Sequence, residues 1–109
     1  MAAFGDSYVN FLYSLYLSKQ RGKPVGRKIS SSTLASALKL ADMRHLLPSR
    51  TDRHKQADAA EALIGYGFIT NLISTEEALS ILEGKNKLEE SFACLLRVIY
   101  ERVKKSVPT

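Results

Sequence analysis

The sequence predicts an all-α protein, and three observations predict it. No stretch alternates apolar and polar residues over a useful strand length, a polar line recurs every four residues through the aromatic segment 4–18, and residues 88–103 carry an apolar stripe at helical period. The first segment, FGDSYVNFLYSLYLS, is apolar around most of a helical circumference except at Asp6, Asn10, Ser14 and Ser18. On a helix these four form one line, whereas on a strand they would share a face at twice the strand period and leave the aromatics unpaired. A buried helix with one functional edge is expected.

Lys19–Lys28, KQRGKPVGRK, holds two glycines, a proline and five basic residues, which predicts a loop after this helix. A second helix is expected from the serine run Ser30–Ser32, any of which can cap it, through Thr33 to Ala41, and Pro48 closes the segment after it. Residues 49–57 are polar and basic and lead into a strongly apolar helix over Asp58–Leu72. Its glycines 65 and 67 would each cost about 1 kcal/mol against alanine in an exposed helix, so they predict close packing. Ser74 and Glu77 have capping-box spacing at the head of a short helix that Gly84 ends. In the last helix Leu88, Phe92, Leu95, Leu96, Ile99 and Val103 fall within about 100 degrees of one another, with Glu89, Glu90, Glu101, Arg102 and Lys105 outside.

Composition narrows the function. The 109 residues suffice for one domain, 1–109, and no apolar run exceeds five residues, so a transmembrane helix is excluded. No signal peptide is visible at the N-terminus, and the chain is expected in the cytoplasm. A single cysteine, Cys94, and two distant histidines remove disulfide and Cys/His zinc chemistry. Charge is uneven: residues 1–57 hold ten Lys or Arg against three acids, a net +7, while residues 58–109 hold six against eight, a net −2. A basic half favours a polyanionic partner, although moderately basic proteins without one are common.

Most acids have a dull explanation, because Glu76 and Glu77 sit in a first helical turn and Glu83, Glu89, Glu90 and Glu101 on solvated faces. Three do not fit. Asp6 is embedded among Phe4, Gly5, Tyr8 and Val9, while Asp58 and Glu61, three apart on one helix face, open the segment ALIGYGFI. If that face meets the polar line of the first helix, three carboxylates converge, and hard oxygen ligands of this kind select Mg²⁺ or Mn²⁺. The alternative is structural: Asp58 and Glu61 complement a helix dipole and Asp6 caps the first helix.

AFGDSYVNFLYSLYLS resembles the signature helix of the ribonuclease III family, and Asp58-Ala-Ala-Glu61-Ala-Leu-Ile-Gly65 resembles that family's second acidic motif, with Gly5-Asp6 upstream in the right order. The resemblance spans roughly residues 2–71; the C-terminal helices agree in class only. It implies a helical endonuclease that dimerises and cuts double-stranded RNA with Mg²⁺ (or Mn²⁺), leaving 5′-phosphate and 3′-hydroxyl ends. It also implies that Asp6, Asp58 and Glu61 are catalytic metal ligands. Asn10 and Ser14, further along the line, are expected either to contact the hydrated metal or RNA or to cap buried polar groups.

Two departures qualify the resemblance. The full-length family carries a glutamate four residues before the Gly-Asp aspartate, where this chain has Ala2, and no double-stranded RNA-binding domain is expected in 109 residues. Both features resemble the compact members of the family. Lys19, Arg21, Lys23, Arg27 and Lys28 in the first loop, and Arg50, Arg53, His54 and Lys55 before the second motif, are candidate phosphate contacts; the alternative for each is a solvated surface residue in a loop. Tyr8, Tyr13 and Tyr16 are expected in the core or a dimer interface rather than as base-stacking platforms. The competing function is a non-catalytic RNA-binding or assembly protein that retains the fold.

Overall fold

The computed structural model describes residues 1–106 and contains five α-helices with no strand among them. The last three residues of the expected 1–109 domain lie outside the described residues. The helices are α1 (Ala2–Arg21), α2 (Ser31–Leu40), α3 (Arg53–Ile69), α4 (Thr75–Glu83) and α5 (Leu88–Ser106), with a single 3₁₀ turn at Arg44–Leu46. None is long and apolar enough to cross a membrane.

α1 runs three residues further than the sequence predicts, because Lys19–Arg21 carry no apolar periodicity yet continue the helix until Gly22. Gly22 takes the left-handed conformation (φ 68°) that stops it. Of the three serines before α2, Ser30 is the cap: its hydroxyl accepts from the Thr33 N–H at 3.1 Å. α3 begins five residues earlier than expected, capped by Asp52, whose carboxylate accepts from the Lys55 N–H at 2.8 Å. It ends at Ile69, where Asn71 turns left-handed (φ 62°) and Leu72 bonds back to Gly67. Ser74 caps α4 as its spacing predicts, accepting from the Glu77 N–H at 3.1 Å.

α5 supplies the centre of the core. Phe92, Leu95, Leu96 and Ile99 are fully buried, Leu88 and Val103 pack at its ends, and α2, α3 and α4 all lie against it. Arg102, expected on the solvated face, is instead half-buried. Its guanidinium holds Glu77 of α4 through two bonds at 2.6 and 2.5 Å and the Leu72 carbonyl at 2.9 Å, tying α5 to α4. Both glycine predictions hold. A Cβ at Gly67 would lie 2.7 Å from the Ile99 side chain, and one at Gly65 would lie 2.8 Å from the Gly5 backbone.

The polar line of α1 has a structural use over most of its length. The Ser18 hydroxyl accepts from the Val25 N–H (2.8 Å) and donates to the Val25 carbonyl (3.1 Å). Ser14 makes the same pair with Arg27 at 2.9 Å each, and the Asn10 side-chain oxygen accepts from the Ile29 N–H at 2.9 Å. Four helical residues advance about 6 Å and two extended residues about 6.6 Å, so helix positions 18, 14 and 10 stay in register with chain positions 25, 27 and 29. The basic loop is thereby laced antiparallel along α1.

Candidate active site

α1 and α3 cross with their backbones in contact. A Cβ at Gly5 would lie 2.2 Å from the Glu61 carbonyl oxygen, so only glycine permits this approach. The contact fixes the site, since Asp6 follows Gly5 directly and Glu61 is the residue whose carbonyl Gly5 meets. Asp58 stands one turn before Glu61 on the same helix.

The three carboxylates occupy different environments. Asp6 and Asp58 are exposed, whereas Glu61 is 7 % exposed. Burial above all, then hydrogen bonding to Asp6, then the negative charges of Asp6 and Asp58, push the Glu61 carboxyl up from 4.5 to about 7. Among the described residues the only ion pairs within 4.0 Å are Arg102–Glu77 and Lys104–Glu101, so none of the chain's 16 Lys and Arg pairs with this trio. Nor does any group of three or more His, Cys, Asp or Glu among these residues stand in an arrangement that could hold a metal ion. Asp6, Asp58 and Glu61 offer hard oxygen donors of the type a divalent cation takes, but their side chains are not drawn into a ligand set.

The dipole alternative for Asp58 and Glu61 does not survive the earlier start of α3. Asp58 lies in the second turn and Glu61 beyond it, while Asp52 holds the cap and the first turn contains no acid. Asn10 does reach the site. Its amide donates to the Asp6 carboxylate at 3.1 Å and to the Asp6 carbonyl at 2.9 Å, while its oxygen holds Ile29. Ser14 does not: eight residues beyond Asp6, roughly 12 Å along the axis, its hydroxyl is engaged by Arg27. Of the two roles expected of Ser14, these bonds are of the second kind, satisfying backbone groups of the loop.

The basic candidates divide. Lys28 adjoins Ile29, which Asn10 links to Asp6, and Lys23 and Arg27 lie along the laced loop. Arg53, His54 and Lys55 form the first turn of α3 rather than a preceding loop, and Arg53 donates to the Ser32 hydroxyl of α2 at 3.0 Å. Arg50 is exposed in the turn before Asp52. Tyr8 and Tyr16 are buried, Tyr8 stacking on Phe68 with centroids 4.3 Å apart and bonding Thr75 at 2.9 Å, while Tyr13 is half-buried. Sequence reading missed the role of Gly5, although its place beside Asp6 was the available signal.

Fold and site together define a class: an all-α domain with a carboxylate cluster at a glycine crossing of two helices, set among basic segments. The chain belongs to the ribonuclease III family, whose model, described as Ribonuclease III, matches residues 1–105. The match extends through α4 and α5, well past the acidic motifs, and the family is one of RNA-processing nucleases that use divalent metal ions. No curated protein matches the chain.

Proposed function

We propose that the protein is a Mg²⁺- or Mn²⁺-dependent endoribonuclease that hydrolyses phosphodiester bonds in double-stranded or structured RNA. The observation that carries this is the Gly5–Glu61 backbone contact, which gathers Asp6, Asp58 and Glu61 with no cation of the chain's own beside them. Asp6, Asp58 and Glu61 would hold the ion. When bound, it supplies positive charge for the phosphate oxygens and acidifies a coordinated water. Asn10 keeps the Asp6 carboxylate oriented by donating to it from a side chain that Ile29 itself fixes. Lys23, Arg27, Lys28, Arg50, Arg53, His54 and Lys55 present positive charge to the RNA backbone, and recognition depends on duplex shape more than base sequence.

The working unit is a homodimer. Met1 at the cap of α1, Phe4 and Phe11 on α1, and Tyr66 and Ile69 on α3 are large apolar residues left exposed; Phe4 stacks on Tyr8 and Phe68, and Phe11 lies tilted against Tyr8. A second copy placed on this face covers apolar surface that one 109-residue chain leaves in water. One observation favours the non-catalytic alternative: Ala2, one turn before Asp6 on α1, stands where the family carries a further glutamate. Incubation of a long RNA duplex with the protein and Mg²⁺, with EDTA and single-stranded RNA as controls, decides between them. Cleavage of the duplex alone supports the nuclease; binding without cleavage supports the alternative.

A further inference from the structure

The outer face of α2 meets the first turn of α3 in an open groove of about 320 Å³ that the carboxylate cluster does not use. Buried Ala35 forms its floor, Ser32, Ser36 and Lys39 line it from α2, and Arg53 and Gln56 line it from α3. The α2 residues stand three and four apart, the spacing of a single helix face. None of the lining is acidic, and α2 holds no acid at all. Asp52, the nearest acid in sequence to Arg53, has its carboxylate engaged in capping Lys55.

The groove is organised for an anion. Arg53 donates to the Ser32 hydroxyl at 3.0 Å, which anchors the guanidinium and leaves its other N–H groups and the Ser32 proton available. Among the described residues neither Lys39 nor Arg53 has a carboxylate within 4.0 Å. The three consecutive basic residues Arg53, His54 and Lys55 also occupy the positive end of the α3 dipole with no acid in the turn. That placement opposes folding of the helix and becomes favourable when negative charge arrives. Arg53 precedes Asp58 by five residues and Glu61 by eight, about 7.5 and 12 Å along the axis, a separation that an RNA strand covers in a few nucleotides.

We propose that the α2/α3 groove is a backbone subsite that holds a phosphodiester group of the RNA strand flanking the cleavage position. Lys39 and Arg53 supply the charge, and Ser32 and Ser36 donate hydrogen bonds to the phosphate oxygens. The subsite adds affinity and register without reading bases. It rests on the reading of the protein as a nuclease of structured RNA.

Duplex RNA binding by the full chain in EDTA, measured over a range of salt, tests this. Lys39→Gln is expected to weaken binding five- to tenfold and to lower the log–log salt slope by about one, because one phosphate contact is lost. Ser36→Ala weakens binding less and leaves the slope unchanged, Lys39→Arg restores both, and Lys105→Gln, exposed at the end of α5, alters neither. Lys39, Ser36 and Lys105 are all on exposed faces, so unchanged melting temperatures verify folding. Wild-type binding and Mg²⁺-dependent cleavage, with Lys39→Gln matching Lys105→Gln in affinity and slope, overturns the groove and leaves the nuclease standing. A wild type that does not bind duplex at all overturns both. A titration with inorganic phosphate that Lys39→Gln abolishes, while RNA affinity is unchanged, reassigns the groove to free anions and overturns the proposal.

Discussion

The two ends of the polar line on α1 are built from the same spacing and do opposite things. At Asn10, Ser14 and Ser18 each polar group has partners, and the loop of residues 25–29 is held to the helix through them. At Asp6 the line meets α3 across a glycine contact, and two further carboxylates join it without a cation. A satisfied polar group is there to hold the chain. An uncompensated charge, maintained against its own repulsion, holds nothing of the chain together.

The strongest way to break this comparison is to place the same methyl group at each end. Gly5→Ala puts a Cβ 2.2 Å from the Glu61 carbonyl, so the helices must separate. A loss of about 3 kcal/mol in chemical denaturation is expected, with loss of Mg²⁺-dependent cleavage. Gly26→Ala, in the laced loop, meets nothing within 4 Å and should change stability by less than about 0.5 kcal/mol.

The next test removes charge at one end and a hydrogen-bonding group at the other. Asp6→Asn and Glu61→Gln keep size and relieve repulsion, so the metal-free melting temperature is expected to hold or rise while kcat for duplex RNA falls at least about a hundredfold. Ser14→Ala loses both bonds to Arg27 and should cost about 1 kcal/mol while leaving Mg²⁺ affinity in place. Unfolding of both acid variants, or wild-type cleavage by both, assigns these acids to structure instead.

A pH series sharpens the same contrast. Because folding raises Glu61 from 4.5 to about 7, the fold favours its protonated form. That stabilisation is full below 4.5 and is lost as pH rises through about 7. The metal-free melting temperature should therefore fall over this window, with Glu61→Gln flattening the fall, whereas Mg²⁺ affinity should rise over it because the ion takes the carboxylate. A melting temperature independent of pH in wild type would show that burial and the neighbouring acids do not hold Glu61 in its protonated form.

The smallest effect comes from a third kind of polar group. Ser91 in α5 is fully buried, and its hydroxyl has no partner among the described residues. Ser91→Ala removes an unsatisfied group at nearly constant shape, and a gain of about 1 kcal/mol is expected in denaturation.

Much of this was legible in the residues. The α5 stripe is readable because a single buried face imposes one period, and all six of its apolar positions lie in or against the core. The early start of α3 was not readable: its first turn, RHKQ, is solvated, so no apolar period marks it and only the Asp52 cap does. The fate of Arg102 was hidden for a related reason, since a charge outside the stripe reads as solvated until a neighbouring helix brings Glu77 to it.

By itself the sequence determined the helical class, the spacing of the polar line, the Gly-Asp and D-x-x-E-A-L-I-G motifs, and hence the family. These are properties of period and local order along the chain. Tertiary structure alone decided which members of the polar line hold the 25–29 loop and which one faces α3, because that depends on what lies opposite each one. It placed the 25–29 loop against Asn10, Ser14 and Ser18, and α3 against Asp6, through contacts between residues far apart in the chain. A side chain's spacing is written in its own helix; its partner is supplied by another element, at a distance of closest approach that Gly5 and Gly65 set.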